Sequence, residues 1–361
     1  MKNRPIIWHL LSNRWNSAIT EYAINCAKAT EPLASRLIFS PLFQSPAHNR
    51  INDEAIECMP FESFGFKGLL RFWACFRIIN PDVLFVYGGP ETFLAQLICP
   101  TSCRIFRFRG DARDQHFKSH SFSQLNFYHI SGLFFPSELA AAPFSRVEIS
   151  KAVIPLGCDS SKYYVREPIG RPFSKIELLY VGRFDPIKGI DRLLKFYRAL
   201  KERWPIDSPH LLLKIIGYPA NISTMALVEM VRSQELGNDD VAITDAKVPN
   251  IEEQMNQATA GIIPSLGSEI ICRVAEEFLL CGTPILVSDA GSLPESVFEG
   301  AGLVLGKPDH WLDRVDASIK FLLKAGKESK EEKIKRSFEA SKRFSLETMS
   351  DSLNRLLEPE Q

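Results

Sequence analysis

Short runs of apolar residues recur along the chain, and most are followed by a turn and then by a segment with helical spacing. Such apolar runs alternating with helical segments predict parallel strands covered by helices on both faces of a sheet. After Gly189, for example, Ile190, Leu193 and Leu194 share one helical face while Lys195 and Arg198 lie opposite. The predicted strands are Ile6–Leu11, Leu37–Phe39, Val83–Tyr87, Arg104–Phe108, Leu133–Pro136, Ala152–Leu156, Ile176–Val181, Leu211–Gly217, Val241–Thr244, Gly261–Pro264 and Pro284–Val287. The chain is therefore predicted to have an α/β fold.

A polar, proline-containing stretch between Asp159 and Ser174 interrupts this pattern, and strand-like character resumes at Ile176. The 361 residues suit two domains. We place a first domain at 1–167 and a second at 168–340, and we expect 341–361 to form a C-terminal helix that packs back toward the first. Two facing, doubly wound domains are expected to hold ligands in the cleft between them, outside the carboxyl ends of their strands.

Charge and cysteine usage narrow the classes of function. The 43 basic residues balance the 43 acidic residues, which argues against nucleic acid as a partner. The eight cysteines occur singly, without a C-x-x-C pair, as expected of buried, reduced thiols in a cytosolic protein. No apolar stretch approaches the roughly 18 residues of a spanning helix, so we expect a cytoplasmic protein that is at most peripheral to a membrane.

The loop after the strand Ile176–Val181 carries two cations. Arg183 and Lys188 lie five residues apart between Gly182 and Gly189, at the carboxyl end of the strand. A planar guanidinium fork beside a compact ammonium suits a diphosphate. A solvated loop with two basic residues fits the same pattern, so the spacing alone leaves both interpretations open.

A second loop follows the strand Gly261–Pro264 and leads through a Gly-Ser turn into a predicted helix, whose free N–H groups favour an anion. Glu269 and Glu277 are eight residues apart, a little over two helical turns, so both are expected to face one cleft. Such carboxylates can accept hydrogen bonds from sugar and ribose hydroxyls. Either glutamate alone is also consistent with a surface position.

Together these segments resemble the retaining glycosyltransferases of family 4, among the glycosyl transferases group 1, which have a GT-B fold of two facing Rossmann-like domains. The resemblance covers about residues 150–305 in the family's order. Its motifs are G-R-x-x-x-x-K-G at 182–189, the Glu269/Glu277 pair, Cys281-Gly282-Thr283-Pro284, SDAGSLPE at 288–295, and Ile154-Pro155-Leu156-Gly157-Cys158-Asp159.

The resemblance implies roles for individual residues. Arg183 and Lys188 would hold the diphosphate of a nucleotide sugar and neutralise the leaving group, and Glu277 would accept the ribose hydroxyls. Glu269 would contact the donor sugar, near the backbone of Ile270, Ile271, Cys272 and Arg273. The nucleobase would lie near Asp245, Ala246, Lys247 and Val248, with Gly217 also on the donor side. The resemblance implies no cofactor and no metal, because the two cations replace it.

The variant of the second loop suggests the type of enzyme. Ile270, Ile271 and Cys272 stand where the family often has Gly-Phe-Gly, and S-E-x-x-x-R-V resembles bacterial transferases of surface-polysaccharide assembly. The implied activity is a hexosyl or related transfer (EC 2.4) to a glycan or lipid-linked acceptor of lipopolysaccharide, capsule or a similar polymer. The resemblance also implies attack from the leaving-group face, with a phosphate oxygen helping to take the acceptor proton.

Acceptor-side residues are expected on the first domain. The loop Ser12 to Ser17 follows the first strand and presents Asn13 and Arg14, and Arg109 and Asp111 follow the strand Arg104–Phe108. Asp111 joins Glu269, Arg183 and Lys188 as a candidate catalytic residue, although a salt-bridged loop explains Arg109 and Asp111 equally well. The turn Gly88 to Glu91 is either a second candidate or a tight turn with Glu91 in the first turn of a helix.

Three further features stay open or are assigned no role. The stretch Lys67–Arg77, with Leu70, Trp73 and Phe76, fits either a membrane-interface helix near the inner membrane or a helix that covers a sheet. His9 and His129 lie in apolar runs and are predicted to be core histidines.

Rival functions with this architecture are a nucleotide-sugar epimerase, a glycan phosphorylase, and a non-catalytic protein that binds a nucleotide sugar. A dinucleotide oxidoreductase is disfavoured, because no G-x-G-x-x-G follows the first strand.

Overall fold

The computed structural model of the protein describes residues 4–51, 54, 56–110, 128–166, 175–246, 248–267 and 269–358. The chain divides into two compact units, 1–157 with 344–361, and 158–343. The division falls at Gly157/Cys158, ten residues before the boundary placed from the sequence. Residues after Gly157 already contact the second unit, since Arg166 pairs with Glu252 at 3.0 Å and with Glu253 at 3.1 Å.

The first unit is built on a seven-stranded parallel sheet in the order β3-β2-β1-β4-β5-β6-β7. Its strands are β1 (Ile6–Leu11), β2 (Arg36–Pro41), β3 (Glu57–Cys58), β4 (Val83–Val86), β5 (Arg104–Phe108), β6 (Gly132–Phe135) and β7 (Ser150–Val153). In the described residues up to 157, its helices are α1 (Ala18–Thr30), α2 (Pro46–Ile51), α3 (Leu69–Ile79), α4 (Gly89–Ile98) and α5 (Glu138–Ala141). The order reverses at β1/β4, so the carboxyl ends of these two strands form the topological switch point.

Aromatic side chains fill both faces of this sheet. Trp8 is fully buried, stacks on Phe72 of α3 at 5.2 Å between ring centroids, and donates to Ser40 at 2.8 Å. His9 points into the core, where its ring nitrogens bond Tyr87 at 2.8 Å and Thr30 at 2.9 Å. Its complete burial confirms the predicted core histidine, and this burial lowers the pKa of His9 to about 3.

The last helix of the chain belongs to the first unit. In α12 (Leu346–Leu357), the Ser345 hydroxyl accepts from the Thr348 amide at 3.1 Å, an N-cap that starts the helix. This helix packs against α1 and β7. Gly157 fits beneath it, because a Cβ at Gly157 would lie 2.8 Å from that of Met349.

The second unit has a six-stranded parallel sheet in the order β10-β9-β8-β11-β12-β13. Its strands are β8 (Lys175–Val181), β9 (His210–Ile216), β10 (Val241–Thr244), β11 (Ala260–Ile263), β12 (Ile285–Val287) and β13 (Gly302–Val304). Its helices are α6 (Ile190–Glu202), α7 (Thr224–Ser233), α8 (Ile251–Gln257), α9 (Arg273–Leu280), α10 (Val315–Ala325) and α11 (Lys330–Phe344), the last of which ends at the unit boundary. A core of apolar residues from β8, β9 and α6 holds the strand ends in place.

The predictions that the cysteines are all buried and that His9 and His129 are core histidines are each wrong in part. Six cysteines are buried, but Cys58 and Cys75 are only half-buried, because β3 lies at the sheet edge and Cys75 at the border of the buried face of α3. His129 has φ +56° and lies half-buried against the exposed ring of Tyr128, at 4.0 Å between ring centroids, rather than in the core. Among the described residues, no helix has the length and apolarity needed to span a membrane.

Candidate functional site

The loop after β8 is held by a buried carboxylate that the sequence analysis did not single out. Asp185 begins the short 3-10 helix Pro186–Lys188, and its side chain accepts from the Ile187 amide at 3.0 Å. Its other oxygen accepts from Asn221 at 3.0 Å and lies 3.3 Å from the guanidinium of Arg183. Asp185 thus orients Arg183, whose side chain is about half-exposed at 45%.

Lys188 and Glu269 come together from loops 81 residues apart in the sequence. The Lys188 ammonium donates to the Oε1 atom of Glu269, and the Ser265 hydroxyl donates to the same oxygen at 2.6 Å. The Glu269 residue is buried, at 6% exposure, while 24% of the Lys188 side chain reaches solvent. This pair brings a partly accessible cation and a fixed carboxylate to the carboxyl ends of β8 and β11.

Gly189 allows these two loops to meet. It has φ +71°, and a Cβ there would lie 2.0 Å from the carbonyl oxygen of Pro264. The Leu266 amide donates to the Ile187 carbonyl at 2.8 Å, which closes the contact. The glycine of the G-R-x-x-x-x-K-G motif is therefore required by both its conformation and the space around it.

The helix after β11 starts later than the sequence pattern predicts. Helix α9 begins at Arg273, so Glu269 lies on a loop and the two-turn argument that related it to Glu277 is wrong. Contacts distant in sequence explain the difference. The Glu269 carboxylate accepts from Lys188, and the Glu269 carbonyl accepts from the Ser292 amide at 2.6 Å. Ile270, Ile271 and Cys272 follow Glu269 in this non-helical loop.

Glu277 sits on α9 with two partners. It is buried at 6% exposure, lies 3.5 Å from the Arg273 guanidinium, and accepts a hydrogen bond from the Tyr163 hydroxyl. Burial and the neighbouring Glu277 charge raise the pKa of Tyr163 well above its usual range. Tyr163 lies in the polar stretch after Asp159, where no local pattern marked it as a site residue.

The neighbouring Glu276 is a buried carboxyl. Burial is the main cause that raises its pKa to about 8, and the charge of Glu277 adds to the effect. The thiol of Cys158 lies 3.8 Å from its Oε2 atom. Two adjacent glutamates thus have different environments: Glu277 has a cation and a hydroxyl beside it, while Glu276 is desolvated.

A Glu276→Gln variant is expected to gain stability relative to the wild type as the pH rises. The unfolded chain loses the Glu276 proton near pH 4.5, whereas the folded chain keeps it to about pH 8, so the wild type is progressively destabilised between these values. Urea unfolding at several pH values should show a difference that grows by on the order of a few kcal/mol up to pH 8. A difference that stays constant from pH 4.5 to 8 would contradict this assignment.

The predicted nucleobase region follows β10. The Asp245 carboxylate accepts from the Thr224 hydroxyl at 2.8 Å at the start of α7, while Ala246 is exposed and Val248 is half-buried. Lys247 lies outside the described residues. Gly217 directly follows β9, and a Cβ there would lie 1.8 Å from the Gly182 carbonyl oxygen, so the absence of a side chain lets the ends of β8 and β9 approach.

The first unit has a cavity of about 330 Å³ at the carboxyl ends of β1 and β4. Asn13 lines it, but its amide donates to Ser17 at 2.7 Å and Thr20 at 2.9 Å and its oxygen accepts from the Trp15 amide at 3.1 Å. Asn13 therefore shapes the loop. Arg14 also lines the cavity and is exposed, which leaves it accessible to a ligand.

Glu91 is the buried acid of this cavity. It is fully buried in the first turn of α4, and its Oε1 accepts from the Ser12 amide at 3.1 Å. Its Oε2 has no hydrogen-bond partner in the described part of the chain. Burial raises its pKa. The local sequence pattern does not distinguish a turn from a site at Glu91, because the partner of its carboxylate is 79 residues away.

Arg109 and Asp111 are the other acceptor-side residues predicted from the sequence. Arg109 is buried at 8% exposure, with its guanidinium 4.9 Å from the centroid of the Phe144 ring. Asp111 lies outside the described residues. The described residues contain no group of three or more His, Cys, Asp or Glu side chains placed to hold a metal ion, and metal independence stays a prediction.

Comparison with known proteins agrees with this arrangement. Residues 165–339 match the family model of glycosyl transferases group 1. The chain is 31% identical over 158 residues to D-inositol 3-phosphate glycosyltransferase of Arthrobacter sp. (strain FB24), covering 42% of this chain and 36% of the relative. The corresponding enzyme of Kribbella flavida is 31% identical over 154 residues, with 41% and 35% covered. The matched part thus spans about a third of these curated relatives.

Solved structures match nearly the whole chain. Anabaena HepE in complex with UDP aligns with a TM-score of 0.77 at 15% identity, covering 97% of this chain and 99% of that protein. The lipopolysaccharide outer core galactosyltransferase WaaB aligns with a TM-score of 0.71 at 14% identity, with 98% of each chain covered. The predicted fold of two Rossmann-like, parallel-sheet units of GT-B type is confirmed, and the family model of glycosyl transferases group 1 matches most of the second unit.

Proposed function

We propose that this protein is a retaining glycosyltransferase that moves a hexosyl group from a nucleoside diphosphate sugar to a hydroxyl of a glycan or lipid-linked acceptor. The observation that carries the proposal is the Lys188 ammonium held by Glu269, whose carboxylate also accepts from Ser265, with Arg183 on the same loop as Lys188. The loop lies within residues 165–339, which match the family model of glycosyl transferases group 1.

The chemistry follows from these charges. As the bond between the sugar C1 and the β-phosphate oxygen breaks, negative charge grows on the departing diphosphate, and Lys188 and Arg183 stabilise it. Glu269 accepts hydrogen bonds from the sugar hydroxyls. The acceptor oxygen forms its bond to C1 from the leaving-group face, and its proton passes to a phosphate oxygen, which retains the anomeric configuration. No metal ion takes part in this scheme.

Similar proteins support a choice of substrates to test. HepE has been crystallised with UDP and glucose, and WaaB is named as a lipopolysaccharide galactosyltransferase. The curated relatives act, by their name, on an inositol phosphate. We propose a UDP-hexose donor and a cytoplasmic reaction in the assembly of lipopolysaccharide, capsule or a similar polymer, with the acceptor contacting Arg14 in the cavity of the first unit.

The test is to incubate the protein with UDP-glucose, UDP-galactose or UDP-N-acetylglucosamine and octyl glycosides of common hexoses, and to read the product by proton NMR. An α-linked product from the α-configured donor supports the proposal, and a β-linked product contradicts retention. A sugar with one inverted centre formed without acceptor would instead identify an epimerase. Donor binding without turnover on any acceptor would identify a non-catalytic binding protein.

A further inference from the structure

Helix α3 has two apolar sides, and only one of them is used by the fold. Phe72, Phe76 and Ile79 are buried on the inner side. On the outer side Leu70 is 80% exposed and Trp73 is 54% exposed. The helix therefore covers the sheet, as one of the two sequence interpretations requires, and still presents a second apolar side to solvent.

The exposed apolar side continues beyond α3. Phe66, in the turn before the helix, is 87% exposed, and Ile78, near the end of α3 itself, is 79% exposed. Helix α4 contacts α3 and carries two more exposed apolar side chains. We call this set the outer apolar surface: Phe66, Leu70, Trp73, Ile78, Phe93 and Leu97. A concentration of large exposed apolar side chains on neighbouring helices marks an interaction site.

The charged residues of α3 near this surface are all basic. Lys67 and Arg77 are exposed beside it, and from Ser63 to Gly110 the sequence contains only two acidic residues. One of them, Glu91, is fully buried. The carboxylate of the other, Asp82, accepts from the Ile6 amide at 2.8 Å. Both acids follow α3 in the sequence, the exposed Glu62 precedes Ser63, and the charged residues of α3 itself are both arginines, so the outer side of the helix is apolar and basic.

We propose that the outer apolar surface binds the interface of an anionic lipid bilayer. Trp73 and Phe66 are side chains that partition into the headgroup region, with Leu70 entering the acyl boundary. Lys67 and Arg77 complement anionic headgroups. A second copy of the chain is a poorer occupant, because a symmetric contact through this surface would bring like charges together. The proposal does not depend on the transfer reaction.

Vesicle co-sedimentation tests the proposal, with phosphatidylcholine vesicles compared with vesicles that also contain phosphatidylglycerol. The wild type should bind the anionic vesicles and lose binding as salt rises. A Leu70→Ser/Trp73→Ser variant should bind at least about tenfold more weakly, because binding scales with the apolar area inserted. A Lys67→Gln/Arg77→Gln variant should lose about ten- to thirtyfold, since each basic residue near such a surface contributes about fivefold.

The matched control is Ile206→Ser/Met225→Ser, which removes two apolar side chains that are 100% and 77% exposed on the second unit, and it should bind vesicles like the wild type. UDP binding measured on every variant separates a failure of this proposal from a failure of the proposed function. The proposal is overturned if the wild type does not bind anionic vesicles, or if the Leu70→Ser/Trp73→Ser variant binds them as strongly as the wild type. So does light scattering that finds a wild-type dimer, a monomeric variant and no vesicle binding by either.

Discussion

Lys188→Ala is expected to lower kcat/KM for the nucleotide sugar by at least about a hundredfold, because it removes a cation that offsets the charge of the departing diphosphate. It also leaves Glu269 buried without its ammonium partner. We expect weaker binding of the nucleoside diphosphate by about ten- to a hundredfold, the range for a charged hydrogen bond. Steady-state kinetics and calorimetry measure the two effects separately.

Lys195→Ala is the matched control for this change. Lys195 is an exposed lysine on α6 of the same unit, seven residues along the chain, and its loss should leave both quantities unchanged. Lys188→Arg should rescue only in part, because a planar guanidinium cannot occupy the compact ammonium position beside Glu269 and Ser265. Equal activities of the Lys188→Ala and Lys195→Ala variants would show that Lys188 takes no part in the reaction.

Gly189→Ala is expected to destabilise the second unit by about 3 kcal/mol or more and to abolish transfer. The added Cβ would need φ +71° and would lie 2.0 Å from the Pro264 carbonyl oxygen. Relief of that contact must separate the loop of Lys188 from the loop that leads to Glu269. The urea midpoint and the transfer rate should fall together.

The Gly300→Ala variant distinguishes the cost of a left-handed backbone conformation from the cost of the steric clash at Gly189. Gly300 has φ +76°, but the position of its added Cβ has nothing within 4 Å. Its substitution should cost only about 1–2 kcal/mol, from the left-handed conformation alone, and should leave the transfer rate intact. Similar losses of stability and activity for the two variants would contradict the interlocked loops.

The strand pattern was predictable because parallel strands buried on both faces are short, continuous apolar runs. The sequence did not predict β3 and β13, because neither is a buried apolar run. Strand β3 has only two residues, one of them the exposed Glu57, and β13 begins with a glycine and is only half-buried. The polar stretch after Asp159 pointed to a unit boundary, but its contacts with Glu252 and Glu277 assign it to the second unit, and contacts of that kind have no local sequence signal.

The candidate site, like the fold, was predictable only where it depends on residues that lie close together in the sequence. Arg183 and Lys188 were identified from one loop, where a strand end and a glycine turn lie close together in the sequence. The start of α9, the role of Asp185 and the burial of Glu91 depend on partners such as Ser292, Asn221 and Ser12, which lie between 23 and 79 residues away. Local periodicity carries no information on those contacts.

The most direct test of the account is calorimetric titration of UDP, GDP and ADP into the wild type, Lys188→Ala and Glu277→Ala. We expect one nucleoside diphosphate to bind the wild type and each substitution to weaken its binding by about tenfold or more. Circular dichroism on the same samples establishes that the variants are folded. The absence of binding by any of the three diphosphates, or unchanged affinity in both folded variants, would contradict the donor site.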